Sequence, residues 1–320
     1  MKLSILDQTP LYIGETVADA LQASKELAVL ADKLGYTRYW ITEHHDLKHV
    51  ACPAPEILIS YLGAHTKRIR IGAGAILLPH YKPYKVAETF NTLATLFPGR
   101  IDLGLGRAPG GSAEATTALS GRFLEEVRRM PEKVEELLRF MRRSFPQNHM
   151  YHSLDAAPVP TLAPEPWLLG TGMKSAKLAA KNKMSYAFGY FMSDKDGNEL
   201  LDTYRSEFVG SNPYTLLAVS VICSETKERA EELAHWVHVL NDIQSKGEKK
   251  LPTLEEAKEI NVEPNPSSKL IAGTIDDVVQ QLEELKTNYQ PDELMITTMI
   301  PSRRDRLSSF QLIGEALIQQ

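Results

Sequence analysis

The chain has 320 residues, enough for one large α/β barrel or two ordinary domains. Hydrophobic residues are 43% and charged residues 24%, the range of a globular chain with a sizeable core. The net charge of −5, from 36 basic and 41 acidic side chains, excludes the basic excess typical of nucleic-acid binders. Cys52 and Cys223 stand far apart, no CxxC occurs, and two reduced thiols are expected rather than a disulfide framework. Met1-Lys2 runs straight into Leu3-Ser4-Ile5-Leu6, too short for a signal-peptide core. No apolar run approaches the roughly 20 residues that cross a bilayer. A cytoplasmic protein without membrane contact is expected.

Residues 3–6 read as a first strand. A helix follows with Thr16 as N-cap and Gly35 as its stop, and residues 38–42 form a second strand. Strand, helix, strand argues for a parallel sheet. Pro55 opens a helix over 55–66. Residues 69–78 are a third strand whose glycines mark either a close backbone approach or tight packing against a helix. A helix over 84–97 precedes strand four, 101–105. A long charged helix is predicted over 122–143, and five prolines make 144–166 an irregular excursion. Strand five is 167–169, followed by an Ala-rich helix over 175–182. Strand six is 185–191, with a helix near 194–208, and strand seven is 215–223. Then come a helix over about 226–243 and a polar excursion over 244–269 that includes the run Lys246 to Lys250. Thr274 caps a helix over 275–286, strand eight is 293–299, and a helix over 305–318 closes the chain. Eight strands alternating with helices predict a (β/α)8 TIM barrel as one domain over 1–320, with insertions after strands four and seven. The competing closure is an open doubly wound sheet.

The residues that carry chemistry stand at predicted strand ends, which a parallel barrel gathers on one face. Glu43, His44 and His45 follow strand two. Gly74 and Ala75 lie in strand three, Arg107 follows strand four, and Tyr190 lies in strand six. Gly170-Thr171-Gly172 and Ser175 follow strand five. That last segment outlines an anion site at a helix N-terminus, although on the motif alone an ordinary βα turn with an N-cap is the better reading. Arg107 suits either a bidentate phosphate contact or a rim salt bridge. Adjacent residues at a strand end point apart and no further His or Asp cluster accompanies them, so no metal site is expected. His44 fits a general base better, with a structural histidine as the alternative.

Three segments, Tyr39-Trp40-Ile41-Thr42-Glu43-His44-His45, Ile71 to Pro79 and Phe97 to Gly111, resemble the bacterial luciferase-like flavin monooxygenases. The likeness covers nearly the whole chain. It implies a (β/α)8 barrel that takes reduced FMN from a separate flavin reductase. O2 and a small organic substrate then react on its C-terminal face with water excluded. By that resemblance His44 is the catalytic base, with His45 and Glu43 beside it near the flavin. Gly74-Ala75 is a non-prolyl cis peptide beneath the ring. Arg107, Thr171, Gly172 and Ser175 hold the phosphate on the turn that Gly170 opens, and Tyr190 lies against the ring or the substrate. Two positions depart from the family pattern. Gly106 stands where light-emitting members have a reactive cysteine, and Gly172 where a serine is common. The family also implies a homodimer through the helices at 55–66 and 84–97. An F420-dependent hydride transferase and a non-catalytic flavin-binding protein are the competing functions. Substrate choice is expected from the loops after strand four and at 144–166.

Overall fold

The structure, a computed structural model, describes residues 1–246, 251–263 and 268–318. Of the charged run Lys246 to Lys250, all but Lys246 lies outside the described residues.

The chain begins with β1 (Leu3–Asp7), α1 (Val17–Leu34), β2 (Arg38–Ile41), α2 (Pro55–His65), β3 (Arg70–Leu77), α3 (Pro83–Leu96) and β4 (Ile101–Gly106). Thr16 and Asp19 form a capping box at the start of α1, and Gly35, at φ 90°, ends it. After β4 come α4 (Ala113–Leu119), α5 (Phe123–Arg128) and α6 (Met130–Arg142). The expected single helix over 122–143 is therefore broken at Arg129, just before Pro131, which cannot donate to the preceding turn. The second half comprises β5 (Glu165–Gly170), α7 (Met173–Lys181), β6 (Ser185–Gly189), α8 (Asn198–Glu207), β7 (Thr215–Cys223) and α9 (Lys227–Ser245). It ends with α10 (Leu254–Lys258), β8 (Leu270–Gly273), α11 (Ile275–Tyr289), β9 (Glu293–Thr297) and α12 (Arg303–Leu317).

Every strand pairing is parallel. β1 to β7 follow in order, β7 pairs with β9, and β9 returns to β1, which closes an eight-stranded (β/α)8 barrel. β8 lies outside that ring and pairs with Ser220–Cys223 of β7. It is an unexpected ninth strand, just after the polar excursion over 244–269. Long insertions follow β4 and β7, as the strand spacing implies. No helix among the described residues is long and apolar enough to cross a membrane.

The two-residue period of each strand sorts the side chains. On β2, Tyr39 and Ile41 face the helices and join the large outer core. Arg38 and Trp40 face the barrel axis, and Trp40 packs there with Leu6, Trp167, Ala187, Leu216, Ala218 and Met295. The floor is an ion network. Arg38 Nε donates to Glu293 Oε1 at 2.8 Å and its Nη1 to Asp102 Oδ2 at 2.8 Å. Trp40 Nε1 donates to the same Asp102 oxygen at 2.9 Å. Removing one partner would strand buried charge, a loss of about 3–5 kcal/mol. The barrel is thus plugged below and open only above, at the strands' C-terminal ends.

Candidate active site

That open end holds a cavity of about 480 Å³, within the usual size range for small-molecule sites. All eight ring strands line it: Leu6 (β1), Trp40 (β2), Gly74 (β3), Gly106 (β4), Leu169 (β5), Ala187 (β6), Leu216 (β7) and Met295 (β9).

The expected residues sort into three groups. Glu43, His44, Gly74, Ala75, Arg107, Gly170 and Thr171 line the cavity. His44 and Arg107, widely separated in sequence, therefore share one chamber. The Gly74–Ala75 peptide is cis. The register between β3 and β4 slips there, between Ala73 and Ile76, so the backbone leaves the ladder at the cavity wall. A Cβ at 74 would stand 2.9 Å from both Leu6 and Trp40, which is why the position holds glycine.

His45, Gly172 and Ser175 are not among the lining residues. His45 Nε2 lies 2.8 Å from Glu43 Oε1. The Glu43 carboxylate is buried and also accepts from Leu77 N–H at 2.9 Å and Tyr81 O–H at 2.7 Å. It staples the end of β2 to the end of β3. Ser175 Oγ donates to the Gly172 carbonyl at 2.6 Å, so its proton is spent within the turn that starts α7.

Tyr190 turns away. β6 ends at Gly189, and Tyr190–Met192 form a 3₁₀ turn rather than more strand. The turn sends Phe191 and Met192 to the cavity. The Tyr190 ring instead packs on Tyr289, 5.3 Å between centroids, with Lys269 Nζ 4.2 Å from its centre.

Burial holds the His44 imidazole below its ordinary pKa, and His49 and His45 push the same way, against a hydrogen bond to the Gly110 carbonyl. That shift favours the neutral imidazole, which has a ring nitrogen able to accept a proton. The Cys52 thiol behind it is pushed up to about 12 by burial and is inert as a nucleophile. Arg107 is exposed at the rim, with no hydrogen bond or ion pair among the described residues. Among those residues no three His, Cys, Asp or Glu side chains gather as a metal site.

Three features escape sequence reasoning. Thr42 lines the cavity, is 7% exposed, and its hydroxyl has no hydrogen-bond partner among the described residues. Gln8 lines it from just beyond β1. Inward phase could have found both, since Thr42 is two residues from Trp40 and Gln8 two from Leu6. Gly110 and Gly111 stand in a recognised motif, but their role is to let the backbone approach. His45 N–H donates to the Gly110 carbonyl at 2.8 Å, and a Cβ at 111 would overlap the His45 carbonyl. Segment 144–166 lies elsewhere: Ala156 O accepts from Asn91 of α3 at 2.7 Å, and Phe145 and Tyr151 pack on Phe140 of α6. It covers the barrel's flank and does not line the cavity.

The donors present fit an FMN-like guest. Gly74 and Ala75 present backbone with little side chain to the cavity, and apolar walls surround it. An orphaned hydroxyl, Thr42, can bond a polar ring edge, and an unpaired guanidinium beside the start of α7 can bond an anionic tail.

The fold is a (β/α)8 barrel with a cavity at the C-terminal face, the face on which such barrels carry their chemistry. The chain belongs to the luciferase-like monooxygenase family, whose model matches residues 1–288. The protein YwcH of Bacillus subtilis is 38% identical over 99% of both chains. The N-acetyl-S-alkylcysteine monooxygenase of the same organism is 38% identical, over 99% of this chain and 98% of its own. The solved structure of apo-MsnO8 is 36% identical, covers 98% of each chain and has a TM-score of 0.89. More distant folds carry flavin-type cofactors. The FMN complex of the 3,6-diketocamphane monooxygenase constituent from Pseudomonas putida has a TM-score of 0.77 at 18% identity, covering 100% and 98% of the two chains. An F420-dependent secondary alcohol dehydrogenase has 0.72 at 16%, covering 98% and 97%. These last two likenesses concern the fold alone.

Proposed function

We propose that the protein is a reduced-FMN-dependent monooxygenase acting on a small organic substrate, supplied with flavin by a separate reductase and working as a homodimer. The carrying observation is that His44, Arg107, Thr171, the cis Gly74–Ala75 peptide and the unpartnered Thr42 hydroxyl surround one cavity. Arg107 and the Gly170–Thr171 turn would hold the phosphate. Gly74, Ala75 and Thr42 would meet the ring. Bound reduced FMN supplies two electrons, so that one atom of O2 enters the product and the other leaves as water. His44 would take a proton at a ring nitrogen that faces the cavity. Glu43 keeps the His44–His45 segment in register with β3, and His45 acts through Glu43. Phe191 and Met192 cover the mouth and limit water. The relative named for N-acetyl-S-alkylcysteine oxidation makes a thioether a reasonable first substrate.

Anaerobic titration with FMNH2 and with reduced F420, followed by exposure to O2 in the presence of thioether and aldehyde substrates, tests this reading. Tight FMNH2 binding with oxygenated product is expected; preferential F420 binding would replace the reading with hydride transfer. His44→Ala should lower turnover by about 10²–10⁴-fold, the usual contribution of a general base, with FMN affinity within twofold of wild type. Unchanged turnover would remove His44 from the chemistry.

A further inference from the structure

A second and larger cavity, about 660 Å³, adjoins the first. The two share Gln8, Phe191 and Met192, which form a threshold at the ends of β1 and β6. Gln8 Nε2 donates to Thr297 Oγ1 at 3.3 Å, which fixes the threshold to the adjacent strand β9. The walls beyond it are mixed: Val237, Leu240, Val262, Leu270 and Met299 stand beside a larger set of polar groups than the inner chamber presents. His238, Asn241, Asp242 and Ser245 follow each other along α9 at steps of three, one and three, so one helix face is presented to the space. Ser220 of β7 and Lys269 complete that side. Lys269 is held in place, since its Nζ donates to the Lys195 carbonyl at 3.1 Å and sits over the Tyr190 ring. Tyr190 lines neither chamber and stands behind this outer wall through its ring contact with Lys269.

Ser245 Oγ already donates to the Asp242 carbonyl at 2.7 Å and the Asp242 carboxylate accepts from Lys246 at 2.6 Å, which leaves the Asn241 amide and the Ser245 lone pairs to bond a guest. An alkyl chain laid over those two groups would displace their water and return no hydrogen bonds. A polar tail would replace those bonds. If the inner cavity holds the cofactor, as proposed above, a substrate must reach His44 from this side. We propose that the outer chamber binds the tail of the substrate, and that the substrate is a compact molecule with amide- or hydroxyl-type hydrogen-bonding groups rather than a long aliphatic one. Asn241 and Ser245, on the insertion after β7, determine that preference. The inference rests on the monooxygenase reading only for the place of the cofactor.

The test compares two thioethers, N-acetylmethioninamide and methyl octyl sulfide, by calorimetry on the FMN-loaded full chain and again on the flavin-free chain. The amide should bind at least tenfold tighter. In Asn241→Leu, and independently in Ser245→Leu, that preference should shrink at least fivefold, with FMN affinity within twofold of wild type. Both positions are exposed on α9, so the variants should fold. Equal or tighter binding of the alkyl sulfide, or an unchanged preference in both variants, overturns the proposal. Failure of FMN to bind is read in a separate titration and strikes the monooxygenase function, whereas the preference on the flavin-free chain judges the chamber alone.

Discussion

Gly111 has no room for a Cβ because the His45 carbonyl occupies that space, and the paired contact through Gly110 fixes where His44 points. Gly111→Ala should therefore cost about 1–3 kcal/mol of stability, as overpacking typically does, and lower turnover at least tenfold. A thermal melt and a rate measurement check this. Gly172 is the contrasting case. Nothing stands within 4 Å of its Cβ position, and its backbone, at φ −145°, suits any residue. Gly172→Ser should leave the melting temperature unchanged and add one donor at the start of α7. A neutral hydrogen bond contributes about 1 kcal/mol, so FMN should bind about fivefold tighter. Weaker FMN binding in that variant would place the phosphate elsewhere. The sequence distinguishes these glycines poorly. A short chemical pattern can be recognised, but whether a missing Cβ makes room for a neighbouring backbone depends on a partner some 65 residues away.

At the level of elements, α2 and α3 carry three of the exposed apolar side chains, Ile57 at 69%, Tyr61 at 41% and Leu96 at 58%, while others such as Leu124 and Met150 lie on other segments. The proposed homodimer would cover them. Ile57→Lys with Tyr61→Lys should convert a dimer to a monomer in light scattering while leaving the fold intact by circular dichroism; a wild-type monomer would contradict the dimer. The eight ring strands were legible because each is a short apolar run between helices of clear period. What escaped lacks that signal. β8 is four residues, Leu270–Gly273, at the edge of a polar stretch. α4 buries none of its side chains and so shows no apolar face, leaving only Ser112 as a cap. The aromatic residues Tyr190 and Phe191 extend the strand pattern of strand six because such residues favour strands, whereas the chain has already turned at Gly189.

Across the whole molecule, burial holds three imidazoles, His44, His49 and His238, below their ordinary pKa. The unfolded chain takes up a proton at each near pH 6.5, while the folded chain does so only at lower pH. Stability should thus be level above about pH 7 and fall as pH drops through the unfolded value. His49→Gln with His238→Gln should flatten that fall between pH 7.5 and 5.5, as read from melting temperatures. An identical slope in wild type and variant would show that these rings do not carry it. Fold and site meet in closure of the ring. It brings Arg107, after β4, to the same chamber as His44, after β2, and Thr171, after β5.

The most direct test is a paired titration of wild type and Arg107→Ala with FMN and with riboflavin, which differ only in the phosphate. Wild type should prefer FMN by about 10–100-fold, since hydrogen bonds to charged groups contribute about 1.5–3 kcal/mol. Arg107→Ala should lose most of that preference and bind riboflavin as wild type does. Equal affinity of wild type for the two flavins, or an FMN preference that survives the substitution, would contradict the account.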